Sequence, residues 1–249
     1  MVKSQCSGRA RAVRGGLTVL ALTAAITACS KQAIIGGDTR QIAGAMPTDG
    51  YLPQPELLQA GNGLWDLVYL KPGIDFHTYK AVYIAPVAIV SGPNSQLASA
   101  SPALRDELAD TFYSDIYTAV SKSCTVAPAA GPGVVVFNVA LSDATSSDGA
   151  AKTVATYVPY VNVAYKLGST AFNGGVGYFS GTATAEAYAT DGATGALLWQ
   201  GVDKRGGNAP LVQNTTDEYL DVHHAFQAWA GQLVTRLQQV GICEPPAPT

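Results

Sequence analysis

Four cysteines and three histidines hold most of the reactive side-chain chemistry of this chain: Cys6, Cys29, Cys124, Cys243, His77, His223 and His224. A thiol can serve as nucleophile, metal ligand, disulfide half or lipid acceptor. No Cys-x-x-Cys or His-Cys spacing of a zinc site occurs, so no metal is assigned. His223 and His224 are neighbours in a helical pattern, where adjacent side chains point about 100° apart and cannot chelate together. They read as solvated helix histidines. His77 lies two residues after Asp75 in a turn region, and no serine sits in a G-x-S-x-G elbow. Triads are assembled in space, so a hydrolytic or ligand-binding site around Asp75 and His77 stays open. The glycine-rich "NGGVGYFSG" lacks the lysine-serine pair and helix start of a phosphate loop, and no cofactor is implied. No catalytic residue is assigned, and the expectation is a non-enzymatic protein.

Two further groups invite a binding reading. Asp203-Lys204-Arg205 with its two glycines forms either a charged rim or a solvated loop in which Asp203 accepts backbone hydrogen bonds; the second is favoured. Tyr157, Tyr160, Tyr165 and Tyr178 crowd the glycine-rich middle, where they fit a recognition surface or ordinary packing.

The surroundings of Cys29 are more specific. Lys3, Arg9, Arg11 and Arg14 make a positive front with no acid among them, and "GLTVLALTAAITA" follows as an apolar core. That core is shorter than the about 20 apolar residues of a permanent span and fits a secretory signal peptide over residues 1–28. Ile26-Thr27-Ala28-Cys29 resembles the bacterial lipobox, an aliphatic residue and two small ones before an obligatory cysteine. The resemblance implies cleavage between Ala28 and Cys29 and acyl chains on Cys29; the alternative is a plain signal peptide with a coincidental cysteine. One chain binds marginally, at about 0.8 kcal/mol per buried CH₂, so a stable anchor takes two or more. Ser30 stands where retention in an inner membrane favours aspartate, which points to an outer membrane with the domain in the periplasm.

With Cys6 removed and Cys29 acylated, Cys124 and Cys243 remain as an even pair in an oxidising compartment, which reads as one disulfide. Two buried free thiols are the alternative. Removing residues 1–28 takes four of the 15 Lys+Arg and none of the 18 Asp+Glu, leaving 11 against 18 and a formal charge of −7. No basic run survives, so nucleic acid is not an expected partner.

Elements must position these residues. Residues 29–62 carry Gly36-Gly37, Pro47, Pro53 and Pro55 and read as a flexible tether, with "GYLPQPELL" as a patch able to dock. Residues 63–244 form one domain and 245–249 a frayed tail. A strand at Val82–Val87 is broken by Pro86. Ser101 and Pro102 open a helix whose Leu104, Leu108, Phe112, Ile116 and Val120 make an apolar stripe. Val134–Leu141 is apolar on both faces, as in a central strand, and residues 153–167 are ambiguous. Alternating alanines at 183–189, a turn at Asp191–Gly195 and a second strand make a hairpin. A last helix spans Asp217–Val240, with Thr215 and Glu218 at capping-box spacing and Gly241 at its end.

"LVYLKPGIDFHTYKAVYIAPV", "GPGVVVFNVALSDA", "DGATGALLWQGVDKRGG" and "HHAFQAWAGQLVTRL", in this order, resemble an uncharacterised family of bacterial lipoproteins, domain of unknown function 3313. The resemblance runs from Tyr51 to Leu237 and implies no activity, ligand or catalytic residue. The layout also looks like small envelope-lipoprotein domains that assemble with other envelope components. The expected fold class is α/β in the α+β sense: a single mixed or antiparallel sheet with two main helices on one face. Helices running the same way would bring Cys124 and Cys243 together beyond their C-terminal ends. The expected function is a lipid-anchored domain that binds an envelope protein or has a structural role. A periplasm-facing hydrolase or small-ligand binder, and a subunit of an envelope secretion or transport assembly, are the alternatives.

Overall fold

The computed structural model describes residues 39–61, 63–92, 95–146, 181–207 and 219–244. Ala28, Cys29 and the signal segment, the four tyrosines, the glycine-rich stretch, Thr215, Glu218 and the tail lie outside the described residues.

The described elements are β1 (Thr39–Gln41), β2 (Gln59–Ala60), β3 (Leu67–Leu70), β4 (Ala81–Ile84), β5 (Ala88–Ile89), α1 (Pro102–Ser121), β6 (Val134–Thr145), β7 (Thr182–Asp191), β8 (Leu197–Gly207) and α2 (Leu220–Gln239). The strands join in one sheet in the order β2-β3-β8-β7-β6-β4, with β1 also on β8 and β5 also on β6. β4 and β5 run parallel to β6, while β7 and β8 are antiparallel neighbours, so the sheet is mixed. Pro86 falls between β4 and β5, where its missing N–H interrupts the ladder. β6 is a central strand paired on both edges, with Val135, Phe137 and Val139 in the core beneath the helices and Ala140 and Ser142 also buried.

Both helices cover the same face of this sheet and share its main core. Ser101 caps α1 by accepting a hydrogen bond from the Leu104 N–H at 3.2 Å, and Pro102 follows at the first position. Leu108, Phe112, Ile116 and Val120 are buried as one stripe, each contributing about 1.5–3 kcal/mol by the usual burial scale. In α2 the stripe includes Val222, Phe226, Trp229 and Leu237, and Phe226 stacks on Phe112 with ring centroids 4.3 Å apart. Gly241, at a φ of +78°, turns the chain after α2 as a left-handed residue. The C-terminal ends of the helices meet: Cys124 and Cys243 form a disulfide with Cα atoms 4.6 Å apart, and the Glu244 N–H donates to Ser123 O. The hairpin turn is organised by Asp191, which accepts from the backbone of Ala193 and Thr194 and from the hydroxyls of Thr194 and Tyr79.

Two sequence expectations need correction. Residues 39–61, within the expected tether, are packed on the domain: β1 pairs with β8, and Ala45 and Leu52 are buried against Val202 on the second face. Asp203, Lys204 and Arg205 belong to the interior of β8, and Asp203 is fully buried, so they are no solvated loop. Among the described residues no helix is long and apolar enough to cross a membrane.

Candidate functional site

Every tryptophan of the chain, Trp65, Trp199 and Trp229, lines one apolar cavity of about 280 Å³ between the helices and the sheet. The floor comes from β6, β7 and β8, through Val135, Phe137, Val139, Ala189 and Trp199; the roof comes from Phe112 and Ile116 of α1 and from the C-terminal half of α2. Alternation in β7 explains the space. Ala183, Ala185, Ala187 and Ala189 all face the helices and supply little volume, so the sheet floor stays low where α2 crosses it. Gly201 matters for the same reason. A Cβ there would stand 3.1 Å from the Trp65 ring and 2.9 Å from that of Trp199, so only glycine lets both indoles lie on the sheet. Trp65 meets Trp199 edge-on at 5.1 Å, and Trp229 lies 5.6 Å from Phe112.

Among the lining residues, Leu70 at the end of β3 is 56% exposed, and Arg236 in the last turns of α2 is exposed as well. Among the described residues that line the cavity, only Arg236 carries a charge. The guanidinium donates to the neutral Gln239 Oε1 at 3.0 Å, and no carboxylate lies within ion-pair distance of it among the described residues.

One wall is fastened by a buried polar latch centred on Asp203. Its carboxylate accepts from Trp229 Nε1 at 2.7 Å, from Gln41 Nε2 at 2.7 Å and from the Asp66 N–H at 3.1 Å, with Arg205 Nη1 at 3.5 Å. The latch ties α2, β1 and the loop before β3 to β8. Burial pushes the Asp203 carboxyl up; Trp229, Gln41 and Arg205 oppose that shift by stabilising the charge. Gln232 lies at the cavity wall with its side-chain amide between Arg205 and Leu64 O; in the amide orientation that satisfies both, its oxygen accepts from Arg205 at 2.9 Å and its nitrogen donates to Leu64 O at 3.2 Å. All polar atoms of Asp203 are engaged, so the latch positions Trp229 and has no free lone pair aimed at a reactant.

The sequence-derived candidates fall in different places: Asp203 and Arg205 form the latch, the Cys124–Cys243 bridge lies beside the cavity, and Asp75, His77, His223 and His224 are not among its lining residues. Asp75 and His77 sit in an exposed 3₁₀ turn, where Asp75 Oδ1 accepts from the His77 N–H at 3.0 Å. That carboxylate serves as a local cap for the turn. The His77 ring lies over the backbone of Gly241, where a Cβ would come 2.7 Å from it. His223 and His224 are half-buried on α2, and the His223 ring lies 6.1 Å from that of Phe226. Cys124 and Cys243 are joined next to the cavity, since Val240 and Ile242 line it. The cavity itself escaped the sequence reading, because Trp65, Trp199 and Trp229 share no local motif. Their only signal was that each belonged to a different apolar element.

The opposite face holds a second buried polar group. Glu186 Oε1 accepts from the Thr48 N–H at 2.8 Å, and Gln200 exchanges hydrogen bonds with the backbone of Gln54. Burial raises the Glu186 carboxyl above its ordinary value despite the bonds from Thr48 and Ser142. Tyr51 covers Tyr188 edge-on at 5.5 Å.

The fold and site define an α+β domain with one mixed sheet, two helices on one face and an apolar cavity beneath them. The chain belongs to the family described as a protein of unknown function (DUF3313), whose model matches residues 54–233. No curated protein matches it. Among solved structures it is similar to two PelC dodecamers from Paraburkholderia phytofirmans, each 11% identical with a TM-score of 0.33. These cover 72% and 70% of this chain, and 98% and 96% of theirs. It is also similar to a DUF4136 family protein from Bacteroides thetaiotaomicron VPI-5482, 12% identical with a TM-score of 0.32, covering 70% of this chain and 94% of that one.

Proposed function

We propose that this chain is a lipid-anchored protein of the bacterial cell envelope whose domain works by holding another molecule and transforms none. Acylated Cys29 attaches it to the membrane, and the domain is presented in the periplasm to an envelope partner. The single observation that carries the binding reading is the cavity walled by all three tryptophans, with Arg236 as the one charged lining residue among the described residues. Pockets of about 300–1,000 Å³ with mostly apolar walls and few polar groups are the usual form of small-molecule sites. The buried charges nearby are saturated by one another, which suits them to positioning a wall and leaves general acid-base work without a free group.

A fluorescent apolar dye titrated onto the full chain tests this reading. Saturable binding is expected, lost when Ala189→Phe fills the floor, with the thermal unfolding of that variant checked alongside. Equal dye binding by a folded Ala189→Phe chain overturns it. The anchor has its own readout: Cys29→Ser is expected to abolish incorporation of labelled palmitate.

A further inference from the structure

Resting on the binding reading above, we infer that the cavity is a site for a single-chain anionic amphiphile, with the chain between the tryptophans and the head group on Arg236. Three features of the molecule fit this ligand class together. The walls are apolar and aromatic, so a hydrocarbon tail exchanges water for close contact on every side. The volume limits the tail. Benzene occupies an engineered cavity of about 150 Å³, so about 280 Å³ takes a tail of about ten to twelve carbons by simple proportion. The mouth supplies the charge. Arg236 lines the cavity, is exposed, and is hydrogen-bonded only to a neutral amide among the described residues. An exposed planar guanidinium suits a carboxylate or phosphate held at the rim.

Leu70, likewise exposed among the lining residues, adds apolar surface where the cavity meets solvent. A free fatty acid and a single-chain phospholipid share this chemistry, and the Arg236 guanidinium suits either head. The disulfide adds a constraint on access, because Cys243 fixes the segment carrying Val240 and Ile242 to the end of α1.

The chain is its own reporter, since all of its tryptophan emission arises around the cavity. The experiment uses the full chain in lipid nanodiscs, so that no detergent competes. Decanoate and decanol, each with a terminal bromine, are titrated at measured free concentrations while tryptophan emission is followed. Saturable quenching by both is expected, with decanoate binding about fivefold more tightly, the upper end for an exposed ion pair. Arg236→Gln should erase that difference and leave decanol unchanged; Arg236→Lys should retain most of it. Across saturated acids from six carbons upward, affinity should rise about fourfold per methylene and level off near ten to twelve carbons. A single-chain phosphatidylglycerol displacing decanoate assigns the site to lipids, and failure to displace assigns it to free acids; both outcomes support the anionic amphiphile. Equal binding of decanol and decanoate to the unaltered chain overturns this inference while leaving the binding reading intact. Quenching by neither probe overturns both.

Discussion

The two faces of the sheet are closed by different means, and β7 shows it within a single strand. Ala183, Ala185, Ala187 and Ala189 face the two helices, whereas Thr184, Glu186 and Tyr188 face the irregular strap formed by residues 45–58. A helix satisfies its own backbone and approaches the sheet with side chains alone. The helical side meets the sheet largely through rigid aromatic rings, and a cavity of about 280 Å³ remains there. The strap has backbone groups to spare. It follows the sheet closely and spends them on it, the Thr48 N–H on Glu186 and the Gln54 backbone on Gln200. Space for a ligand therefore belongs to the helical side, while the strap side is sealed by hydrogen bonds.

The largest effect is expected from removing the latch that holds the helical side. Asp203→Ala leaves Arg205 and the Trp229 indole N–H buried without their partner, at about 3–5 kcal/mol and a drop in Tm of about 10 °C. Chemical denaturation measures it, and a loss below about 1 kcal/mol would mean that the network is slack. Next is the bridge at the helix ends. Reduction, or Cys124→Ser with Cys243→Ser, should cost about 2–4 kcal/mol, since the closed loop is long. Unchanged stability after reduction would separate the bridge from the helical side. Leu52→Ala, in the small cluster under the strap, should cost about 2 kcal/mol and speed amide exchange in the strap while leaving tryptophan emission alone. A shift in that emission would show the two faces to be coupled.

The smallest effect carries a sign. Glu186 has a folded-state value above its ordinary 4.5, so its contribution to stability is fully present below that value. It is lost as pH rises from there through the raised folded value. Glu186→Gln keeps an acceptor for Thr48 without that loss. Tm at pH 8 should rise by about 2–4 °C, corresponding to about 1 kcal/mol, with little change at pH 4. A fall at both values would contradict the burial-driven shift.

The parts of this fold that were legible in the sequence are those governed by local rules. Ser101-Pro102 and a stripe four residues apart define α1 without tertiary help, and Asp191 with Gly195 defines the hairpin turn. The Cys124–Cys243 bridge followed from compartment and parity, and is present. The strap was misread because its glycines and prolines suppress any periodic pattern, and its few apolar anchors, Ala45 and Leu52, act through strands far along the chain. Asp203 was misread for a related reason. Three charged residues in a row resemble a solvated loop, and only tertiary structure brings Trp229, Gln41 and the Asp66 N–H to the carboxylate. The tryptophan cavity is not legible in the sequence, because a void is a property of several elements meeting and is encoded at no single position.

The measurement closest to the central claim is the emission of the three tryptophans titrated with terminally brominated decanol. Occupancy of one cavity should quench most of that emission saturably, and with one ligand per chain. Quenching that rises linearly without saturation, or leaves most of the emission untouched, would contradict a ligand site between the helices and the sheet.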